Sequence, residues 1–372
     1  MRRQISAESS QALQSAGAKH NSAGTSTGGR RRISRRSFAS EAQSRGRRSK
    51  ECPDRQEALP PCALVCRENG EMLLLLTSDG SKHQAFEGQS DWIAAVDVHW
   101  QTFRAASVGG DGCLRIWQLK PPFDPGEARV LTGGPGGCAR AVAVDWAGGG
   151  RALTGSDGGQ LVMWDLEAFR CEKVFPMCLG LISSLAVNWA KLRVLVGHGD
   201  SGLVLMSLED GEPLVSLDGH TCLVTALAVN WDKNRSLCGS GDGALVYWDM
   251  RRNHMDHMLR GHKGSITTIC ADWFLNQALS GSEDGHLRLW ALKTGECLRV
   301  LTGHQSGIRA LDVDWQAGSA LSGSSSGELL LWMLRDASAP QPLAQASREG
   351  HGVIALALWC PPAASGGEEE EG

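Results

Sequence analysis

The sequence predicts an all-β fold in which one four-stranded unit recurs about every 42 residues, and three observations support this prediction. The chain of 372 residues contains 13 Trp but only 7 Phe and 1 Tyr. Most of these Trp residues fall into two series of nearly constant spacing. Short alternating apolar runs lead up to them, and 46 Gly supply tight turns between the runs. Four short strands per unit are typical of a propeller blade, so the predicted architecture is a seven-bladed β-propeller.

The first Trp series ends the first strand of each unit, with successive spacings of 46, 43, 42, 42, 42 and 44 residues. Its members are Trp100, Trp146, Trp189, Trp231, Trp273, Trp315 and Trp359. The second series ends the third strand, in runs such as LRIW and LVYW, and consists of Trp117, Trp164, Trp248, Trp290 and Trp332. Met206 stands where this series skips one unit. Trp92 is the one Trp that belongs to neither series.

The count of seven blades depends on how the ring closes. The segment that starts at Cys62 aligns without a gap on the segment that starts at Gln277, and Leu75 then takes the position of Trp290. The domain therefore begins with a second strand. The missing first strand, GVIALALW, stands at residues 352–359. We expect this C-terminal strand to close the first blade beside residues 62–66, because closure removes exposed sheet edges.

Gly-His and Trp-Asp dipeptides recur at the same period. They stand at Gly219-His220, Gly261-His262, Gly303-His304 and Gly350-His351, and at Trp164-Asp165 and Trp248-Asp249. With this spacing, residues 60–360 resemble the WD-repeat family. The resemblance implies a buried structural tetrad made of His262, Ser280, Asp284 and Trp290. It is incomplete in the preceding blade, where Cys238 replaces the hydroxyl beside His220, Asp242 and Trp248. It is also incomplete in the following blade, where Ser326 replaces the Asp beside His304, Ser322 and Trp332.

The charge distribution divides the chain into an expected arm, body and tail. Residues 1–55 contain 13 Lys or Arg and 4 acidic residues, a net charge of +9, which leaves −13 for the remainder of a chain with a net charge of −4. We interpret residues 1–57 as a disordered basic arm rich in Arg and Ser, residues 58–361 as the propeller, and residues 362–372 as an acidic disordered tail.

Several interpretations of the basic run RRRISRRS at residues 30–37 remain open. It can be a nuclear import signal or a weak nucleic-acid-binding patch. The motif R-R-x-S that ends at Ser34 resembles a phosphorylation site of basophilic kinases. An N-terminus rich in Arg and Ser can also be an organelle transit peptide, or a solvated tail without one dedicated partner. The expected location is cytoplasmic, nuclear or both.

The sequence favours neither a membrane protein nor an enzyme. No apolar run approaches the roughly 18 residues of a membrane helix. The 12 Cys form no C-x-x-C pair, and His254 and His257 have no third ligand in view, so no metal site and no cofactor are expected. Nucleotide-binding and hydrolase motifs such as the P-loop, G-x-S-x-G and H-E-x-x-H are absent from the sequence.

The resemblance implies that this chain is a non-catalytic scaffold that holds other proteins, as a monomer within a larger complex. In the WD-repeat family the residue that opens each first strand lines the upper mouth of the channel. Here this implies the set Ala94, Arg140, Ser183, Thr225, Thr267, Arg309 and Val353. Arg140 and Arg309 are expected to grip a carboxylate of an acidic peptide, since guanidinium groups bind carboxylates in a bidentate manner. Trp92 lies nearby as a second anchor or as packing against the next blade.

An alternative function follows from the run Trp248-Asp249-Met250-Arg251, preceded by Asp242. It resembles the W-D-x-R box of propellers that dock on cullin-4 ubiquitin ligases. The resemblance implies that Arg251 contacts the ligase adaptor from the bottom face, and that the chain then serves as a substrate receptor. The same four-residue box also occurs in propellers without a ligase role.

Overall fold

The computed structural model describes residues 60–359, except 87, 90, 120–127, 135, 149, 177–179, 200–201, 220–221, 337 and 344–349. The expected basic arm and acidic tail lie outside these residues. Within the described part the chain forms 28 strands and one short 3-10 turn, Trp189–Lys191. The strands form seven antiparallel sheets of four strands each, which confirms the predicted seven-bladed propeller.

The blades are numbered along the chain, and the strands of each blade are given from the channel outwards. Blade 1 contains β28 (Val353–Trp359), β1 (Cys62–Arg67), β2 (Met72–Leu76) and β3 (Lys82–Phe86). Blade 2 contains β4 (Ile93–His99), β5 (Arg104–Gly109), β6 (Leu114–Gln118) and β7 (Arg129–Leu131). Blade 3 contains β8 (Ala139–Val144), β9 (Arg151–Ser156), β10 (Gln160–Asp165) and β11 (Arg170–Pro176). Blade 4 contains β12 (Ile182–Asn188), β13 (Arg193–His198), β14 (Gly202–Ser207) and β15 (Pro213–Asp218).

The remaining three blades have the same order. Blade 5 contains β16 (Val224–Asn230), β17 (Arg235–Ser240), β18 (Leu245–Asp249) and β19 (His254–Leu259). Blade 6 contains β20 (Ile266–Asp272), β21 (Gln277–Ser282), β22 (His286–Ala291) and β23 (Glu296–Thr302). Blade 7 contains β24 (Ile308–Asp314), β25 (Ser319–Ser324), β26 (Leu329–Met333) and β27 (Gln341–Pro342). The first strands contact one another around the ring and surround the central channel.

The C-terminal strand closes blade 1, as the alignment of the repeats predicts. Cys62 pairs with Trp359, and the antiparallel register continues through Ala63 and Leu358. All six residues of β1 are buried. At the end of β28 the indole of Trp359 lies 5.7 Å from that of Trp100 and 5.6 Å from the ring of Phe103, measured between ring centroids. The last strand therefore joins blade 1 to blade 2 as well as completing its own sheet.

Neighbouring blades pack face to face through the third-strand Trp residues and aliphatic side chains. Trp164 of blade 3 packs in one cluster with Val108 and Leu114 of blade 2. Trp290 of blade 6 packs with Leu237 and other residues of blade 5. A buried aromatic side chain of this size removes on the order of 150–250 Å² from water, which makes these contacts a large part of the packing between blades.

The antiparallel order gives the ring two distinct ends. At the top end lie the turns between second and third strands and the linkers between blades. At the bottom end lie the turns between first and second strands and those between third and fourth strands. The described loops of each blade are therefore divided between these two ends.

Candidate functional site at the channel mouth

The second residue of every first strand is a β-bulge, at which the pairing with the second strand shifts register. A bulge changes the direction of its side chain, and here the bulged residues line the channel mouth at the top end. In blade order they are Ile354, Ala94, Arg140, Ser183, Thr225, Thr267 and Arg309. One local backbone feature, repeated seven times, therefore builds the site.

Val353 was expected in this set, and that expectation is wrong. Val353 is 1 % exposed and packs in the core, while Ile354 lines the mouth. The cause is the position of the final Trp. Trp359 lies inside β28 opposite Cys62, whereas in the other blades the corresponding Trp follows the end of the first strand. In the other blades the mouth residue lies six residues before this Trp, but in blade 1 it lies five residues before. Counting back six residues from Trp359 therefore reaches Val353 instead of Ile354.

The mouth is a cavity of about 430 Å³. Its wall combines the bulged residues with side chains that precede the first strands, among them Trp92, Leu181 and Leu223. These apolar side chains are half-buried. The site thus offers apolar surface between two cationic groups, Arg140 of blade 3 and Arg309 of blade 7.

Three of the hydroxyl groups that line the mouth connect neighbouring blades. Ser183 donates to the carbonyl oxygen of Val224, and Thr225 donates to that of Ile266. Thr267 repeats the contact with Ile308 at 2.6 Å. A hydroxyl has one proton to donate, and in these residues it is used within the ring. What they still offer a partner is acceptor capacity, and their expected role in binding stays a prediction.

Arg140 is held by the aromatic residue that precedes the neighbouring first strand. Its guanidinium carbon lies 4.8 Å from the centroid of the Trp92 ring, a cation–π contact between blades 3 and 2. Trp92 is half-buried, and its carbonyl oxygen accepts a hydrogen bond of 3.1 Å from the N–H of Gly110. The cation–π contact occupies one side of the guanidinium group, and Arg140 is exposed, so its N–H donors can still reach a carboxylate.

Arg309 is exposed and lies beside Glu283 of blade 6, with 3.8 Å between Nη2 and Oε1. Both side chains are nearly half exposed, and an ion pair in such a setting contributes little to stability. A carboxylate of a partner can therefore replace Glu283 at small cost. The two arginines stand three or four blades apart around the ring, so they face the channel from roughly opposite sides.

The tetrad residues of blade 6 are hydrogen-bonded to one another below the top loops. Trp290 Nε1 donates to Ser280 Oγ at 2.8 Å, and that hydroxyl lies 2.8 Å from His262 Nε2. His262 Nδ1 lies 3.0 Å from Asp284 Oδ2. Burial lowers the pKa of His262, so the imidazole is neutral and donates from Nδ1 to the carboxylate. Burial also opposes the ionisation of Asp284, but hydrogen bonds from the Lys263 N–H and from His262 outweigh it and lower the pKa of that carboxyl.

Blade 7 completes the same arrangement with a different acid. Glu328 Oε2 lies 2.8 Å from His304 Nδ1, and Ser322 Oγ lies 2.6 Å from Nε2. Trp332 Nε1 donates to Ser322 Oγ at 2.7 Å. Ser326, which stands at the expected Asp position, bonds to the hydroxyls of Ser306 and Ser324 instead. The longer side chain of Glu328 reaches the histidine from two positions further along the chain.

Blade 2 contains a variant of the tetrad in which Gln89, outside any Gly-His dipeptide, takes the place of the histidine. Gln89 Oε1 accepts a hydrogen bond of 2.9 Å from Ser107 Oγ, and Trp117 Nε1 donates to the same hydroxyl at 2.8 Å. Gln89 precedes Trp117 by 28 residues, the same separation as between His262 and Trp290. This offset is the signal in the sequence that identifies Gln89.

Blade 5 has the Trp without the hydroxyl. Trp248 Nε1 is buried and has no hydrogen-bond partner among the described residues. Cys238 occupies the position of the hydroxyl and is fully buried, and burial raises the pKa of its thiol. The histidine expected here, His220, lies outside the described residues.

The W-D-x-R residues do not share one surface. Asp242 lies in a turn at the top end, where it accepts from the N–H of Ala244 at 3.0 Å. Trp248 and Asp249 are buried, and Asp249 Oδ1 accepts from the N–H groups of Arg251 and Arg252 at the bottom end. Arg251 is therefore the exposed member of the box, while Trp248 and Met250 pack in the core and Asp249 holds the backbone of the turn.

The described residues contain no group of three His, Cys, Asp or Glu side chains placed to hold a metal ion. The ring of His257 stacks on Tyr247 at 6.2 Å between centroids. No helix in the described ranges has the length and apolar character needed to cross a membrane. Ser34 lies outside those ranges.

Comparison with known proteins agrees with this architecture. The family model for the WD domain, G-beta repeat matches residues 211–249, 254–291 and 295–333. Each match runs from the fourth strand of one blade through the third strand of the next. No curated protein sequence matches the chain. Among solved structures, the crystal structure of the computationally designed Ika8 protein is similar, with a TM-score of 0.62 and 22 % identity over 80 % of this chain and 88 % of that one.

Proposed function

We propose that this chain, a seven-bladed propeller with WD repeats in blades 5 to 7, is a non-catalytic scaffold that holds partner proteins at its channel mouth. Propellers of this kind generally bind other proteins. The finer proposal is that the mouth takes an acidic peptide segment, with a carboxylate on Arg140 or Arg309 and an apolar side chain against Trp92 or Leu223. Fold alone does not determine function, so the proposal depends on the residues of the mouth.

The observation that carries the proposal is the pair of exposed arginines on opposite sides of a cavity with apolar walls. Arg140 is oriented by Trp92 and Arg309 by the weak pair with Glu283. Side chains held in place lose less conformational entropy on binding, which favours affinity. Arg and Trp are also the residue types that most often contribute the largest share of the binding free energy at protein interfaces.

The test reverses the charge of each arginine in the full-length protein. Arg309→Glu and Arg140→Glu should each lower the recovery of bound proteins by about tenfold, since a hydrogen bond to a charged group contributes roughly 1.5–3 kcal/mol. Recovery is measured by affinity purification from the native cell extract followed by quantitative mass spectrometry. Arg170→Glu is the matched control, because Arg170 is exposed on the outer strand β11 and is not among the residues that line the mouth. Unchanged recovery of every partner with both mouth variants argues against the proposal.

A second candidate function, substrate receptor of a cullin-4 type ubiquitin ligase, is supported by the geometry of Arg251. Asp249 fixes the backbone of its turn through two hydrogen bonds of 3.0 and 3.1 Å, and the Arg251 side chain is exposed. Affinity purification that compares wild type with Arg251→Ala tests this candidate. Adaptor peptides present with the wild type and lost with the variant support a ligase receptor. Their absence from both samples favours the scaffold alone.

For the basic arm we propose a contribution to cytoplasmic or nuclear placement rather than to partner binding by the ring. A fluorescent fusion of residues 1–57 tests this directly. Nuclear accumulation that is lost when residues 30–36 are changed supports an import signal, and accumulation in an organelle supports a transit peptide. The same fusion with Ser34→Glu shows whether a negative charge in the basic run alters placement.

A further inference from the structure

The turn between β20 and β21 in blade 6 exposes two large apolar side chains at the bottom end. Phe274 is 88 % exposed and Leu275 is 52 % exposed. Blades 2, 3, 4, 5 and 7 also have a turn between their first and second strands. In those turns the two residues after the Trp are small, polar or charged. These pairs are Gln101-Thr102, Ala147-Gly148, Ala190-Lys191, Asp232-Lys233 and Gln316-Ala317. The seven-fold fold therefore does not require Phe and Leu here.

The backbone of this turn is held by other residues. Asp272 Oδ1 accepts hydrogen bonds from the N–H groups of Phe274 and Leu275, at 2.7 and 2.9 Å. Asn276 adopts a left-handed conformation, with φ of 54°. In blade 7 Asp314 makes the same pair of hydrogen bonds to Gln316 and Ala317. Phe274 and Leu275 thus contribute their backbone to the turn, while their side chains are largely in solvent.

Exposed cationic side chains occur in the bottom turns of blades 5 and 6, at the same end of the ring as this apolar pair. Lys233 Nζ donates to the carbonyl oxygen of Trp273 at 2.7 Å, which places an ammonium group directly beside the turn. Further exposed cations in the bottom turns of these two blades are Arg251, Arg252 and Lys293. The exposed acidic residues at this end of the two blades are Asp232, in one of these turns, and Glu296, at the start of β23. Asp249 and Asp272 are occupied as acceptors of backbone N–H groups. Among the exposed charged side chains at this end of blades 5 and 6, the four cations therefore outnumber the two acidic residues.

We propose that Phe274 and Leu275 are the centre of a second protein-binding surface, and that its partner is a peptide segment that combines apolar side chains with carboxylates. An exposed aromatic and aliphatic pair within a charged rim is typical of an interaction site. The cations select an acidic partner and speed its approach. This surface lies at the opposite end of the ring from the channel mouth, so it does not depend on the function proposed for the mouth.

The test uses the immobilised full-length protein and a phage-displayed library of random 16-residue peptides. The variant Phe274→Gln/Leu275→Ala carries the residues of the equivalent turn in blade 7 and is expected to fold. Clones are selected on the wild type and counter-selected on this variant. Leu298→Gln is the matched control, because it removes an exposed apolar side chain from β23 in the same blade. One selected peptide is then synthesised and titrated at 50 and 300 mM NaCl.

The expected result is a set of clones that combine Asp or Glu with apolar residues. Their binding should weaken at least about tenfold in the double variant, as for an interface anchor, and stay unchanged in the Leu298→Gln control. Affinity should also fall about threefold or more at the higher salt concentration. A library from which no clone survives the counter-selection, or surviving clones that lack carboxylates, overturn the proposal. Binding that appears only after residues 362–372 are removed also overturns it, because the occupant is then the acidic end of the chain itself.

Discussion

Compared with blades 5 to 7, which contain most of the residues matched by the WD-repeat model, blades 1 to 4 depart further from the family pattern but follow the same rule for the third-strand Trp. Where the third strand carries Trp, the second strand carries a hydroxyl ten residues earlier, as in blades 2, 3, 6 and 7. Where the third strand has Leu75 or Met206, the corresponding positions hold the buried apolar residues Val65 and Val196. In these six blades the donor and the acceptor are thus present together or absent together.

Blade 5 is the exception, although it is one of the blades that match the WD-repeat model. Trp248 keeps the donor, whereas Cys238 removes the acceptor. Replacing both partners of a buried hydrogen bond by apolar groups is nearly neutral, but leaving one partner unsatisfied costs about 1–3 kcal/mol. Similarity to the family pattern is therefore a poor guide to local stability. The consistency of each donor and acceptor pair is the better guide, and the following predictions test that view.

The largest effect on stability is expected from removing β28, the strand that completes blade 1 and closes the ring. Deletion of residues 351–372 removes β28 and exposes one edge of β1, whose six residues are all buried in the intact ring. A folded protein is typically stable by only about 5–15 kcal/mol, so this loss should abolish the cooperative unfolding transition. Circular dichroism during thermal unfolding measures it.

The control for this deletion is a chain that ends at residue 361 and keeps β28. It should retain the unfolding temperature of the full-length protein, because the whole register from Cys62 to Trp359 is present. A shortened chain that lacks β28 but unfolds cooperatively at an unchanged temperature contradicts the closing role of the strand.

The next effect concerns the complete tetrad. Ser280→Ala leaves Trp290 Nε1 without its acceptor and His262 Nε2 without its donor. Two unsatisfied buried groups should lower the free energy of unfolding by about 2–4 kcal/mol, as measured by urea denaturation. Thr154→Val in blade 3 is the matched comparison, since the described contacts of Thr154 include one such bond, from Trp164 Nε1 at 2.9 Å. If Thr154→Val lowers the free energy of unfolding as much as Ser280→Ala does, the cost does not grow with the number of unsatisfied groups.

The blade count and the closure of the ring could be predicted from the sequence, because both depend on a period of 42 residues that Trp and turn residues display along the chain. Contacts between residues that do not occupy equivalent positions of the 42-residue repeat could not be predicted in this way. Glu328 reaches His304 because its side chain is longer than that of Asp, and only the fold shows that the loop brings the two together. The contact of Arg140 with Trp92 likewise joins two blades, 48 residues apart in the chain. The mouth residue of blade 1 was predicted one position away from Ile354, because Trp359 lies inside its strand and not after it.

A smaller effect of opposite sign is expected at the mismatched blade. Cys238→Ser supplies an oxygen acceptor ten residues before Trp248, as in the other blades with a Trp. The new hydrogen bond should raise the free energy of unfolding by about 1 kcal/mol. Val196→Ser in blade 4 is the control, because Met206 offers no N–H donor there and the buried hydroxyl should destabilise the ring. Stabilisation in both variants, or in neither, removes the support for donor and acceptor matching.

The smallest effect is a pH dependence that the histidines of blades 6 and 7 confer and that Gln89 of blade 2 does not. Burial lowers the pKa of both His262 and His304. The unfolded chain therefore binds more protons than the folded ring from the lowered pKa values up to about pH 6.5, and stability is lost as the pH falls through this range. Burial raises the pKa of Asp97 and Asp312, which gives the opposite trend above the ordinary carboxyl pKa of about 3.8.

The variant His262→Gln/His304→Gln isolates the contribution of the histidines, since both aspartates remain in it. Glutamine does not titrate, and Gln89 shows that its amide oxygen can accept the serine hydroxyl in this position. Urea denaturation at pH 7.5, 6.5 and 5.5 should give a flatter decline for the variant than for the wild type, even if the variant is less stable at pH 7.5. Equal slopes for the two proteins show that these histidines do not couple folding to pH. In that case the His side chains of blades 6 and 7 and the Gln side chain of blade 2 have the same effect on the pH dependence of stability.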